Sequence, residues 1–249
     1  MLEGMISIVI PVRNDAEALR RSLDHLDKLQ GREHIEVIVA AADAGADTEL
    51  AIDGRARLLV PGGTTRAALM NAGATAASGD ILWFLHADSL PPRDGLALIE
   101  QAMSDEGVVG GAFTHRFSES VWSLVVISFI NRVRYRLTRN YYGDQGLFVR
   151  ATAFRRLGGY PDVALMEDLI HSQRLKRTGG TALIPSPLHT SGRRFLGRGP
   201  WRTFVFIVWL LLLHTLGLDT QRYASRWRGP EDRRPGSPGG ACRRPSCAS

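Results

Sequence analysis

Cysteine is almost missing from this chain. Its two copies, Cys242 and Cys247, stand within the last eight residues, so neither a disulfide framework nor paired zinc-ligand spacing can be read from them. That fits a reducing compartment, and the expected location is the cytoplasm, with the inner face of the cell membrane as a variant of it. The N-terminal stretch MLEGMISIVIPVRND has no basic region followed by a long apolar run and a cleavage site. It reads as the first strand of a domain and not as a signal peptide. Neither GxxxxGK[ST] nor GxGxxG occurs, which argues against a standard ATPase or a dinucleotide enzyme. No internal repeat is found. No apolar run reaches the ~20 residues that span a bilayer; the longest, TFVFIVWLLLLHTLGL, covers 203–218.

The formal charge of +6 is unevenly placed. From Arg222 onward there are seven Arg against Glu231 and Asp232, which leaves 24 basic and 23 acidic residues in the body. A neutral body with a basic tail is poor evidence for a nucleic-acid groove, and no nucleic-acid partner is expected. With 249 residues, 44% of them hydrophobic and 22% charged, the chain is ordinary globular material, long enough for a real core.

What is present is an alternation of strands and helices. Ile6 to Val12 is a β-branched run, and Asn14 or Asp15 can cap a helix with Leu19, Leu23, Leu26 and Leu29 on one face, stopped at Gly31. Strands IEVIVAA (35–41) and RLLV (57–60) follow, separated by a loop rich in Ala, Gly and Asp. A helix from about Thr64 ends near Gly79, before the buried strand ILWFL. Short apolar strands between helices imply an α/β fold with a mostly parallel central sheet and helices on both faces. Ligands bind such sheets beyond the carboxyl ends of the strands. Later, VVGGAF (108–113) and LFVR (147–150) read as strands, SLVVISFINRVRYRL (123–137) and MEDLIHSQRLKRTGG (166–180) as helices, and TALIP as a last strand. The expected division is an α/β domain over 1–200, an apolar helix over 201–222 that docks or lies in a membrane interface, and a disordered basic tail over 223–249.

Several short stretches carry chemistry, each with a plainer alternative. His86 and Asp88 close the strand ILWFL. Two residues apart, they share a side while the chain stays extended, and can hold a hard divalent cation; the alternative is a capping Asp88 and a core His86. Glu167-Asp168 opens a helix, where acids complement the macrodipole or supply a general base. Gly143, Asp144, Gln145 and Gly146 form a turn before a strand, placed to approach a ligand. Arg193 and Arg194 follow a Ser-Gly turn and either clamp phosphate or form a solvated basic loop. Arg13, Asn14 and Asp15 stand at the end of strand one, where they can meet a nucleotide base and ribose or, for Asn14 and Asp15, cap the following helix.

Taken in order, IVIPVRND, RAALMNAGATAASGDILWFLHAD and GDQGLFVR…GGYPDVALMEDLIHSQRLKRTGG resemble a family 2 glycosyltransferase, with the GT-A nucleotide-diphospho-sugar fold. The phrases NAGA, LHAD, GDQG and ED are similar to those of small bacterial members tied to arsenosugar biosynthesis, radical-SAM genes or carotenoid glycosylation. The resemblance covers residues 5 to about 222. It implies that Pro11, Arg13, Asn14 and Asp15 line the nucleotide pocket and that Arg66 and Asn71 sit near the sugar nucleotide. It makes Asp88 the metal carboxylate of an Asp-X-Asp motif whose first position is His86, with His189 as a further ligand. Asp168 becomes the base of the Glu-Asp motif, Gly143 to Gln145 the acceptor side, and Arg193 and Arg194 the diphosphate contact. The acidic end of strand two is displaced to Asp43 or Asp47.

The reaction so implied is a metal-assisted (Mn2+ or Mg2+), inverting transfer from a nucleotide-diphosphate sugar to an acceptor hydroxyl. The acceptor would be a small molecule or a lipid such as a carotenoid, the latter with peripheral membrane contact. The rivals are a non-catalytic sugar-nucleotide or membrane-binding protein and, further off, a sugar nucleotidyltransferase.

Overall fold

The computed structural model describes residues 5–43, 45–63 and 65–227; the basic tail beyond 227, with both cysteines, lies outside the described residues. In chain order the elements are β1 (Ile6–Val12), α1 (Ala16–Leu26), β2 (Ile35–Ala41), α2 (Ala46–Ile52), β3 (Arg57–Leu59), α3 (Arg66–Ala76), β4 (Ile81–Phe84), α4 (Gly95–Met103) and β5 (Val108–Phe117). There follow α5 (Trp122–Thr138), β6 (Phe148–Arg150), α6 (Ala151–Arg156), α7 (Glu167–Leu175), β7 (Gly180–Thr190), α8 (Arg193–Arg198), α9 (Pro200–Thr215) and α10 (Ala224–Trp227). The last is a helical turn at the start of the segment expected to be disordered from 223.

The sheet order is β3-β2-β1-β4-β6-β5-β7. β6 alone runs against its neighbours, so the other six strands point their carboxyl ends to one edge, and the turn preceding β6 meets them there. Strict alternation buries both faces. Ile6, Ile8, Ile10 and Val12 of β1 pack with Trp83 of β4 under α1 and α4. Val9, Leu82 and Phe84 face α3, α6 and Tyr160 on the other side. Each such side chain contributes roughly 1.5–3 kcal/mol by leaving water, which is why central strands with no polar face hold their position.

Two close approaches fix α3 over the sheet. A Cβ on Gly73 would stand 2.4 Å from Val9 Cγ1, so only glycine lets the helix lie so near β1. Asn71 donates to the Tyr160 carbonyl at 2.9 Å and accepts from the Tyr160 amide at 2.8 Å. The NAGA phrase is thus a packing device that aims the first turn of α3.

Several details differ from the sequence reading. The segment 42–52 contains helix α2 within the expected loop. Additional helices follow the proline pair (α4), strand β6 (α6) and the Ser-Gly turn, where α8 opens at Arg193 in place of a loop. α1 ends at Leu26, with Gly31 left-handed (φ 78) five residues later. β7 runs well past TALIP through Pro185 and Pro187. It is an edge strand with a register shift opposite Phe113/Thr114, where missing amide donors cost no ladder bond.

Candidate active site

At the common carboxyl edge the strands leave a cavity of about 450 Å³. The chain after β1 brings Arg13 and Asp15, and the chain after β4 brings His86 and Asp88. The turn before β6 brings Gly143 and Asp144, the start of α7 brings Glu167 and Asp168, and α8 brings Arg193 and Arg194. α5 and α9 close the far side with Tyr135, Phe204 and Leu210. Sequence reasoning missed this far wall; its signal was the apolar character of both helices, which says burial without saying where.

Arg66, in the first turn of α3, ties one end of the cavity together. Its Nε donates to Glu167 Oε1 at 2.6 Å and its Nη2 donates to Asp168 Oδ2. Its Nη1 meets His86 Nε2 at 2.7 Å. The Gly143 amide donates to the same Asp168 oxygen at 3.0 Å. Glycine is required at 143 because a Cβ would lie 2.4 Å from His86 Nε2 and 2.6 Å from Asp168 Oδ2. Both acids are buried, 6% and 4% exposed, so the macrodipole alone does not account for them: exposed acids would serve that purpose. Burial raises the Asp168 carboxyl to about 7; Arg66 opposes this, and the Glu167 carboxylate adds to it. Asp168 Oδ1 is buried with no hydrogen-bond partner among the described residues. Burial, then Arg66, then Arg194 hold His86 well below its usual range, so it stays a neutral acceptor. Entering α7, Met166 takes a left-handed φ of 67, a costly conformation for a residue with a Cβ.

Asp15 and Asp88 face the other end. Asp15 stands at the N-cap of α1 yet makes no capping bond; its carboxylate pairs with Arg193. The capping alternative therefore fails for Asp15. The chain does not stay extended after β4: it turns at Ala87 and Asp88, with the Ser89 amide donating to the His86 carbonyl at 3.1 Å. His86 and Asp88 reach the same cavity through a turn and not along a strand face, His86 toward Arg66. Burial raises the Asp88 carboxyl, Arg193 opposes that, and the Asp15 charge adds to it.

The remaining candidates sit elsewhere. Asn14 contributes a left-handed backbone (φ 49) between Arg13 and Asp15. Gln145 is buried, donating to the Phe113 carbonyl at 2.9 Å and accepting from the Tyr142 amide at 3.0 Å; it supports the turn from behind. Asn71 is engaged with Tyr160, and Asp43 is not in the cavity wall. His189 pairs its backbone with Leu90 and its residue lines a second cavity with His25, apart from Asp88. Among the described residues no group of three His, Cys, Asp or Glu side chains stands close enough to hold a metal ion by itself.

The profile described as Glycosyl transferase family 2 matches residues 7–156. The chain belongs to that family. Among curated proteins none matches at the sequence level. In solved structures the fold is similar to a mannosyltransferase from Pyrobaculum calidifontis in complex with GDP-Man and Mn2+, at TM-score 0.65 and 20% identity, covering 92% of this chain and 66% of that one. It is similar to a glucosyl-3-phosphoglycerate synthase from Mycobacterium tuberculosis in complex with Mn2+, UDP and glucosyl-3-phosphoglycerate, at TM-score 0.61 and 20% identity, covering 87% and 81%. S. aureus TarS aligns at TM-score 0.60 and 12% identity, covering 75% of this chain and 36% of that one. At such identities these likenesses speak for the GT-A fold alone, and the chain spans 66% and 36% of the length of two of these structures.

Proposed function

We propose that this glycosyltransferase moves a sugar from a nucleoside-diphosphate sugar to an acceptor hydroxyl with inversion, and that Asp168 is the base. The observation that carries this is the buried Glu167-Asp168 pair in the cavity wall, fixed on Arg66 and with Asp168 Oδ1 left without a hydrogen-bond partner among the described residues. Arg66 and the Gly143 amide hold one Asp168 oxygen, which leaves the other to accept the acceptor's proton. A base pushed up to about 7 pulls harder on a hydroxyl than an ordinary carboxylate and is still largely ionised just above neutrality. One displacement at the anomeric carbon inverts its configuration.

Pro11, Arg13 and Asp15 would receive the nucleoside, and Arg193 and Arg194 the diphosphate. The oxygen donors at this end suit a hard divalent cation that draws its other ligands from phosphate and water. Asp88, crowded by the Asp15 charge, is the residue that would hold it. His86 faces Arg66 and His189 another cavity, so neither supports that role. When bound, the cation neutralises charge building on the departing diphosphate. The work would be done in the cytoplasm on a small-molecule or lipid hydroxyl, the latter including the carotenoid class.

Incubation with a panel of nucleoside-diphosphate sugars, with and without Mn2+ or Mg2+, tests this reading. Slow release of nucleoside diphosphate and an inverted sugar from one donor is expected. A product of retained configuration, or no donor turned over under any metal condition, contradicts it.

A further inference from the structure

The outer faces of α5 and α9 carry an unusual surface. On α5, every apolar residue of the stripe Trp122, Val125, Val126, Phe129, Ile130 and Val133 is exposed, Trp122 to 69% and Phe129 to 62%. On α9 the stripe is Trp201, Val205, Val208, Trp209 and Leu212, with Val205 63% exposed. These residues recur every three or four positions, so each set forms a single helical face. The two helices act as one platform: the rings of Trp122 and Trp201 lie 5.8 Å apart, and Leu124 and Ile127 share a small core with Phe204. Single exposed apolar residues are ordinary, but a continuous two-helix face marks an interaction site.

Charge identifies the occupant. α5 holds Arg132, Arg134 and Arg136 and no acid, and α9 holds Arg202 and no acid. Arg136, Arg139 and Arg202 are exposed beside the stripes. A second copy of this chain would bring cations against cations. An anionic bilayer satisfies both parts at once: the apolar stripes enter the acyl boundary, tryptophans sit at headgroup level, and arginines meet lipid phosphates. Among the described residues no helix is long and apolar enough to cross a membrane, which leaves lying in the interface.

We infer that α5 and α9 together form an anionic-membrane docking face. This enlarges the membrane contact expected of 203–218 alone, and it stands whether or not the transfer reading holds, because it is tested by binding. The full-length protein would be sedimented with phosphatidylcholine vesicles, with and without phosphatidylglycerol, at low and high salt. Two proteins would be compared: the wild type and the double variant Phe129→Asp/Val205→Asp, whose positions lie outside the cavity wall. The wild type is expected to bind anionic vesicles at least roughly tenfold better than neutral ones, and the variant to lose at least about tenfold of that affinity. The variant should keep the wild-type circular dichroism and melting temperature, both positions being exposed. Light scattering reports the competing occupant. Absence of binding to anionic vesicles at low salt, undiminished binding by the folded variant, or a wild-type dimer that the variant dissolves would each overturn the inference.

Discussion

The two ends of the cavity treat charge in opposite ways. At the Arg66 end, one guanidinium meets two buried carboxylates and a neutral imidazole, and three of its nitrogens have named partners. At the Asp88 end, burial raises the Asp88 carboxyl, Arg193 opposes this, and the nearby Asp15 carboxylate, itself paired with Arg193, adds to it. A saturated network positions a group that must not move. The second end sets Arg193 and Arg194 beside Asp15 and Asp88, and both arginines oppose the rise that burial causes at Asp88, so cationic groups stand ready for an anionic donor. The contrast predicts that substitutions at the first end act on rate and pH profile, and substitutions at the second on donor affinity and metal dependence.

After the base itself, the steepest way to break that contrast is Gly143→Ala. Its Cβ would collide with both His86 and Asp168, and displacing a base by about 1 Å costs on the order of 10²-fold in rate; steady-state kcat with donor affinity measured alongside should show rate lost and affinity kept. Next, Asp88→Ala should weaken donor binding about 10–100-fold in the presence of metal and leave metal-free binding unchanged, as read by calorimetry. If binding with and without metal falls equally, the two ends are not distinct in this way. A third variant sharpens the electrostatics. Asp168 is protonated as pH falls through about 7, so activity should decline on that side. Arg66 favours the ionised form, so Arg66→Met should move the acid limb upward by about 1–3 pH units. A limb that stays in place would mean that Asp168 is not the titrating base.

The smallest effect concerns Asn71. Replacing it with Ala strands the Tyr160 amide and carbonyl, which should cost roughly 1–3 kcal/mol in urea unfolding while donor affinity is unchanged. A large loss of donor affinity would return Asn71 to the sugar-nucleotide site that the family resemblance implies.

The first half of the fold was legible because its physics is local. β1, β2 and β4 are apolar on both faces, and α3 and α7 carry clear stops, so periodicity alone places them. α4 was also written in the sequence, with Leu96, Ile99 and Met103 buried at helical spacing, but the preceding proline pair drew attention to the loop. The length of β7 was not legible, since two prolines argue against a strand until one knows that it lies at the sheet edge. Within the site, order along the chain pointed to Arg66, Asp88 and Asp168. The partnership of Arg66 with both acids of α7, a hundred residues away, depends on how α3 packs against β1 at Gly73. Spacing could not separate Asp15 as a cap from Asp15 as the partner of Arg193, because both need an acid at the same position. Spacing also placed His189 near other site residues in sequence, whereas its bridge to Leu90 sends it to a separate cavity.

Asp168→Asn tests the central claim most directly. The amide keeps the shape and loses the proton acceptor, so transfer should fall by about 10²–10⁴-fold. Affinity for the nucleoside-diphosphate sugar, measured by calorimetry on the same preparation with Mn2+, should stay at the wild-type value. A variant that turns over donor at the wild-type rate would contradict the assignment of the base.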